Sequence, residues 1–315
     1  MTRLRCGLGA ALFVALQRVL PQHTLSRGIH RLARTRWAPV KNALIAGFVH
    51  GFKPDLGEAR EPDARRYTSF NELFTRALRP GARRVDPDPC SVASPVDGTV
   101  SQIGHLDGLS LIQAKGRTYS LEALLASQDW AARLAGGAFA TLYLAPRNYH
   151  RIHLPVAARL TAAWYVPGRL FSVNAVTADA VANLFARNER VVCIFEAAGG
   201  LRFAVILVGA LFVGSIATHW HGEVAPRRRS SPSSAAGAPR RFGPAGRPGR
   251  HPKPLELPVP AAASALEKGA EMGHFSLGST VILVFPRDAL GWLPDLSAGS
   301  PIVMGQALGR LKVAP

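Results

Sequence analysis

Phe275-Ser276-Leu277-Gly278-Ser279-Thr280-Val281-Ile282-Leu283-Val284-Phe285 carries a Gly-Ser bond directly into an apolar, largely β-branched run. The run from Val281 to Phe285 predicts a buried strand. Gly278 has no Cβ, so it can adopt strained backbone geometry and leave its carbonyl open to the neighbouring hydroxyl. Ser279 could then attack that carbonyl and turn the amide into an ester. The same four residues, Leu277 to Thr280, also suit a plain glycine bulge ahead of a strand. Two further segments decide between cutting and bending.

The first is Leu144-Ala145-Pro146-Arg147-Asn148-Tyr149-His150-Arg151-Ile152-His153-Leu154-Pro155, with two histidines three residues apart between prolines. A serine hydroxyl is a poor nucleophile until a base takes its proton, and histidine is the usual base near neutral pH. Either His150 or His153 can serve. As a metal site the pair lacks an obvious third ligand, and no Cys-x-x-Cys or His-Glu-x-x-His supports a metal. The second segment is Ser94-Pro95-Val96-Asp97-Gly98-Thr99-Val100. Asp-Gly is ordinarily a turn signal, but a carboxylate paired with a histidine can orient the ring and stabilise the imidazolium.

From residue 90 onward, short apolar or β-branched runs are broken by glycine and proline. Gly98 to Ile103, Ala138 to Leu144, Arg190 to Phe195, Leu201 to Val208 and Val281 to Phe285 read as antiparallel strands. Leu121 to Leu125 and Ala175 to Phe185 read as helices. The expected class is α+β, with N-terminal amphipathic helices followed by a mainly antiparallel β domain. No Gly-x-Gly-x-x-Gly or Walker-type loop opens a helix, so nucleotide cofactors are not indicated.

Together these segments resemble the phosphatidylserine decarboxylase proenzymes, pyruvoyl-dependent enzymes that mature by cutting themselves at Leu-Gly-Ser-Thr. The resemblance covers nearly the whole chain. It includes Tyr67-Thr68-Ser69-Phe70-Asn71-Glu72-Leu73-Phe74-Thr75-Arg76, Val166-Pro167-Gly168-Arg169-Leu170-Phe171-Ser172-Val173-Asn174 and Asn183-Leu184-Phe185-Ala186-Arg187-Asn188-Glu189-Arg190. It implies that Asp97, His153 and Ser279 form the self-cleavage triad and that His150 is a second active-site histidine. It also implies attack of Ser279 on Gly278, opening of the ester to dehydroalanine, and hydrolysis with loss of ammonia to a pyruvoyl group. That group would form a Schiff base with the amine of phosphatidylserine and act as electron sink for loss of carbon dioxide. A β chain of residues 1–278 and an α chain of residues 279–315 would stay associated. Homodimer formation is left open.

The formal charge of +18 is localised: residues 1–54 contain nine Lys or Arg and residues 226–253 contain eight, with no Asp or Glu in either stretch. In residues 1–66 the basic groups alternate with apolar runs such as Gly7 to Leu16 and Ala43 to Val49. That combination suits interfacial helices on anionic lipid rather than nucleic acid. Arg18 interrupts the first run at about half the length needed to span a bilayer. No convincing small-residue cleavage site follows closely, which disfavours a signal peptide. The expectation is a peripheral protein on the cytoplasmic face of the cell membrane, with residues 67–315 as the catalytic domain. Packing of the N-terminal helices on the main domain is the plainer alternative. Three cysteines, Cys6, Cys90 and Cys193, argue against a disulfide framework.

Residues 226–260 depart from the family: rich in Arg, Pro, Gly, Ser and Ala, they show no periodicity and read as an irregular basic insertion. A lipid-contacting loop and a local reading-frame change fit the same composition. Three other functions compete with the decarboxylase. A pyruvoyl enzyme for a soluble amino acid would not need the basic N-terminus, and an inactive lipid-binding relative would stay uncut. A nucleic-acid binder would have the triad motifs by chance.

Overall fold

The computed structural model describes residues 8–114, 116–211, 215–224, 253–259 and 265–312. Its backbone is an eight-stranded antiparallel sheet. The strand order is Leu255–Glu256, Ala158–Val166, Arg190–Ala197, Arg202–Val208, Ser279–Phe285, Ala138–Leu144, Gly98–His105 and Pro301–Ile302. Ser279–Phe285 lies inside it, in register from Ser279 opposite Leu144 to Phe285 opposite Ala138, and on its other edge from Thr280 opposite Val208 to Val284 opposite Ala204. Successive strand side chains point to opposite faces. Val281, Leu283 and Phe285 therefore enter one core and Ile282 and Val284 another. Burial on both faces is why this strand is apolar throughout rather than alternating.

The first core is closed by a four-stranded sheet ordered Gly222–Val224, Ile216–Thr218, Glu271–Phe275 and Arg151–His153. It brings Ile152, Ile216, Met272 and Phe275 against the large sheet. The second core is covered by short helices, including Leu121–Leu125. The helix expected over Ala175 to Phe185 is instead two, Ala175–Ala180 and Leu184–Arg187, separated around Asn183 in the left-handed region. Buried Gln113 bridges the break: its amide donates to the carbonyls of Ala178 and Val181 and accepts from the N–H of Leu184. A side chain thus satisfies backbone groups that a continuous helix would have paired.

Four helices precede the strands: α1 (Leu8–Val19), α2 (Gln22–Ala33), α3 (Ala38–Phe52) and α4 (Phe70–Phe74). Ser69 caps α4 by accepting from the N–H of Glu72 at 3.1 Å, while the Glu72 carboxylate accepts from Thr68 N–H at 2.6 Å. Two donors left free at a helix start are thereby satisfied by a reciprocal pair of side chains. The helices of residues 8–52 pack on the segments that follow them. Ile45 and Phe48 of α3 form a third core with Tyr67, Leu73 and Phe74, and Leu277 leans against it.

Among the described residues Cys90 and Cys193 are free thiols, whereas Cys6 lies outside them. Residues 226–252 and 260 of the expected irregular segment also lie outside them. Its remaining part corrects that expectation: Leu255 and Glu256 pair with Tyr165 and Trp164 as an edge strand, and Leu257 is buried.

Phe48 is 7% exposed and touches three aromatic rings, those of Phe52, Phe70 and Phe74. Phe48→Ala is expected to lower the unfolding free energy by about 3–5 kcal/mol, the usual range for emptying a buried phenylalanine site. Urea titration of the full chain carrying Ser279→Ala, with and without Phe48→Ala, measures this. A loss below about 1 kcal/mol would mean that α3 is not part of the folded core.

Candidate active site

The backbone ahead of Ser279 is under strain. Leu277 has φ +155° and Gly278 has φ +50°. The first lies in a region that is costly for any residue with a Cβ, and the second is one that glycine takes readily. A Cβ at Gly278 would meet no atom within 4 Å, so dihedral preference and not crowding is what asks for glycine there. One residue later the chain is locked, since Ser279 is already paired with Leu144. The Gly278–Ser279 peptide therefore joins a distorted turn to a rigid strand.

Sheet geometry sets His150 beside this turn, with His153 further along the strand that follows. The chains of residues 138–144 and 279–285 pair in the large sheet, and their continuations, Arg151–His153 and Glu271–Phe275, pair in the small one. The connecting loops, 145–150 and 276–278, consequently face each other. Phe275 N–H donates to His150 O at 3.1 Å and closes the gap.

His150 is fully buried, with its ring centroid 4.1 Å from that of Phe74. Its Nδ1 lies 2.8 Å from Asn148 O. A carbonyl can only accept, so Nδ1 carries the proton and Nε2 the lone pair. Nε2 is buried and has no hydrogen-bond partner among the described residues. Burial pushes the His150 pKa down to about 3, and the nearby Arg76 charge adds to the effect. At neutral pH the ring is an uncharged base.

His153 is arranged differently. Nδ1 donates to Gly269 O at 2.8 Å, and Nε2 accepts from the Tyr149 hydroxyl at 3.0 Å. Burial again lowers the pKa, opposed by the Gly269 carbonyl and by the charge of Glu271. Burial raises the pKa of Tyr149, which keeps its hydroxyl protonated and able to donate.

Asp97 is buried at the mouth of the Gly98–His105 strand. Its Oδ2 accepts from Arg83 Nη2 at 2.6 Å, and its Oδ1 accepts from Arg83 Nε at 2.9 Å and from Met304 N–H at 2.8 Å. Gly98 beside it is required by close approach, because a Cβ there would stand 2.2 Å from Tyr143 O. The direct Asp97–His153 hydrogen bond expected of a triad is not formed. Both ring nitrogens of His153 have other partners, and the Asp97 carboxylate is occupied by Arg83. The two segments still touch, through His153 N–H donating to Pro95 O at 2.8 Å. Asp97 acts on His153 as a nearby negative charge that favours the imidazolium.

Arg83, Tyr149 and Gly269 were not singled out in the sequence as site residues. Tyr149 stood inside the histidine motif, and its position four residues before His153 was the one available signal. Nothing local marks Arg83.

A family model described as phosphatidylserine decarboxylase matches residues 70–310, and a second, described as PSD, matches residues 12–53. The phosphatidylserine decarboxylase proenzyme of Bordetella avium is 46% identical over 298 residues, covering 94% of each chain. That of Stutzerimonas stutzeri is 45% identical over 303 residues, with 96% of this chain and 95% of the relative covered. That of Marinobacter nauticus is 45% identical over 304 residues, with 96% and 98% covered. This chain belongs to the phosphatidylserine decarboxylase family.

His150 makes stability depend on pH in a definite direction. Its folded pKa of about 3 lies below the ordinary 6.5, so the unfolded chain binds the proton first as pH falls. Stability from this group is complete above 6.5 and declines from there down through the folded value. In the uncut Ser279→Ala chain, His150 is expected to remove about 2 kcal/mol between pH 7 and pH 5. Urea unfolding should show a smaller loss once His150→Leu is added. Identical pH dependence with and without His150 would show that the ring is not buried as a neutral base.

Proposed function

We propose that the chain cuts itself between Gly278 and Ser279 and then converts phosphatidylserine to phosphatidylethanolamine at a membrane surface. The observation that carries this reading is the strained Leu277-Gly278 turn, joined to a fixed Ser279 and facing the loop that ends in the buried, neutral His150, with buried His153 in the strand that follows.

In self-cleavage, the Ser279 hydroxyl attacks the Gly278 carbonyl and His153 takes the proton once the Tyr149 hydroxyl swings off Nε2. Asp97, held in place by Arg83, supports the imidazolium by its charge. The resulting ester opens by elimination, and water releases ammonia to leave a pyruvoyl group at residue 279. The residues present fit such a group: the turn ends in open space at Gly278, and a bare imidazole nitrogen, His150 Nε2, faces no competing partner. That group supplies an electron sink for decarboxylation. The substrate amine must lose a proton to act as a nucleophile. His150 Nε2 takes it and returns it to the α-carbon after carbon dioxide has left.

The first helices support a peripheral site on the cytoplasmic face of the cell membrane. No described helix is long and apolar enough to cross a bilayer. Gln17 and Gln22 point inward, accepting from Ser172 N–H at 2.8 Å and Leu170 N–H at 2.9 Å. Leu12, Phe13, Leu16 and Val19 point outward, with Leu16 53% and Val19 81% exposed. Trp37, 67% exposed, and Phe52, 48% exposed, extend the apolar surface along α3. A helix pair that buries glutamine and exposes leucine is patterned for lipid.

Intact mass on a denatured sample tests the chemistry. Wild type should appear as two chains, 1–278 and 279–315, the latter with a blocked N-terminus. Ser279→Ala and His153→Ala should remain whole, while His150→Ala should cut but lose at least about a hundredfold in decarboxylation. Normal cutting by Ser279→Ala would sink the assignment, and an uncut His150→Ala beside a mature His153→Ala would exchange the two roles.

Flotation with anionic vesicles tests the surface. Buried apolar groups hold regardless of ionic strength, whereas each basic residue contributes about 1 kcal/mol that salt screens. At high salt, replacing Leu12, Phe13 and Leu16 by Ser should weaken binding more than replacing exposed Arg27, Arg31 and Arg36 by Ala. The opposite order would move the lipid contact away from α1.

A further inference from the structure

We infer that the cleft beside Asp97 binds the phosphodiester of the lipid headgroup, with Arg76 as its principal ligand; this rests on the function proposed above. The cleft encloses about 210 Å³ between the end of α3, the residues after α4 and the 147–149 loop. Arg76 is only 4% exposed. Its Nη2 donates to Arg147 O at 3.1 Å, but its Nε and Nη1 are buried without a hydrogen-bond partner among the described residues. A buried guanidinium with two unused donors is costly, and Nε and Nη1, on opposite sides of the group, can each donate a charge-assisted hydrogen bond to an oxyanion oxygen.

The charge around it favours an anion. Lys53 and Arg147 line the same cleft, and neither they nor Arg76 form an ion pair among the described residues. The neighbouring acids are already engaged: Asp97 and Glu58 share Arg83, and Asp55 accepts from Gly57 N–H. Three cations without an acidic partner are left in the lining of the cleft. The chain leading into Arg76 is held by its surroundings, because Arg151 Nε donates to Thr75 O at 3.0 Å and Phe74 is locked in the aromatic core.

Position relates the cleft to the chemistry and to the membrane. Arg76 is close enough to His150 for its charge to disfavour the imidazolium, and Tyr149, hydrogen-bonded to His153, is part of the cleft wall. Lys53 ends α3 in the left-handed conformation, next to the exposed ring of Phe52. The mouth therefore opens beside the apolar surface, where a headgroup would arrive.

Phosphatidylserine carries two anions, and the chemistry selects between them. An arginine paired with the seryl carboxylate would stabilise the group that has to leave as neutral carbon dioxide, holding the ground state more tightly than the transition state. The phosphodiester keeps its charge throughout the reaction, so binding it costs nothing in rate. Free phosphate has the same oxyanion chemistry, and a direct binding experiment separates the two.

Calorimetric titration of the purified full-length enzyme with monomeric dihexanoylphosphatidylethanolamine, and separately with inorganic phosphate, tests the proposal. Arg76→Gln should weaken lipid binding by about tenfold to a hundredfold, Arg76→Lys should recover part of the loss, and Arg147→Gln should weaken it severalfold. Thermal melts check folding, and if Arg76→Gln does not fold, Arg76→Lys and Arg147→Gln decide. Unchanged lipid affinity in the folded variants overturns the assignment. So does a wild type that binds inorganic phosphate but not the short-chain lipid. A wild type that neither cuts nor decarboxylates but still binds the lipid through Arg76 would remove the enzymatic reading and leave the cleft. Decarboxylation by Arg76→Gln with an unchanged KM for dihexanoylphosphatidylserine would do the reverse.

Discussion

The pairing of Ser279–Phe285 between two long neighbours is the constraint on which the rest depends. It immobilises residue 279 while the two residues before it sit in costly or glycine-favoured dihedrals. Strain of this kind persists only where surroundings over-determine it. Here they do so from both sides: the sheet holds Ser279, and the aromatic core under α3 and α4 holds Leu277. The same core carries Phe74, on which His150 lies. Packing therefore couples the strained turn with the histidine beside it.

The N-terminal helices obey an inverted rule. In a helix docked on a globular domain the buried stripe is normally apolar, yet α1 turns Val14 and Gln17 inward and leaves leucines outside. Glutamine suits the inner side because the segment it meets, Leu170 to Ser172, offers backbone N–H groups that need acceptors. Docking by hydrogen bonds frees the aliphatic side chains for another partner. Arg34, just after α2, pairs with Glu223 of the small sheet.

How much of this was legible follows from what a sequence pattern records. Runs such as Ala138 to Leu144 and Val281 to Phe285 are written by burial, which acts on every residue, so these strands were readable almost to their ends, whereas Ala158–Val166, interrupted by Arg159 and Thr161, was not. The break between Ala180 and Leu184 was not, because Gln113, far off in the chain, supplies the hydrogen bonds that permit it. The same holds for the site. Asp97, His150 and His153 lay in recognisable motifs, but a motif does not say which atoms meet. Arg83 claims the carboxylate and Tyr149 the imidazole nitrogen, and neither claim leaves a local signature.

The position of the 278–279 bond within the topology has one more outcome. Residues beyond it supply the inner Ser279–Phe285 strand, the Pro301–Ile302 edge and two strands of the three-stranded sheet that covers the first core. A precursor folds as one chain, with loop closure linking these pieces to their neighbours. Once severed, the same architecture would have to be rebuilt from two molecules, at a rate and equilibrium set by their concentration. Under the proposed cleavage, unfolding of the cut protein would be a one-way loss at cellular dilution, and its lifetime would be governed by its unfolding barrier rather than by its free energy.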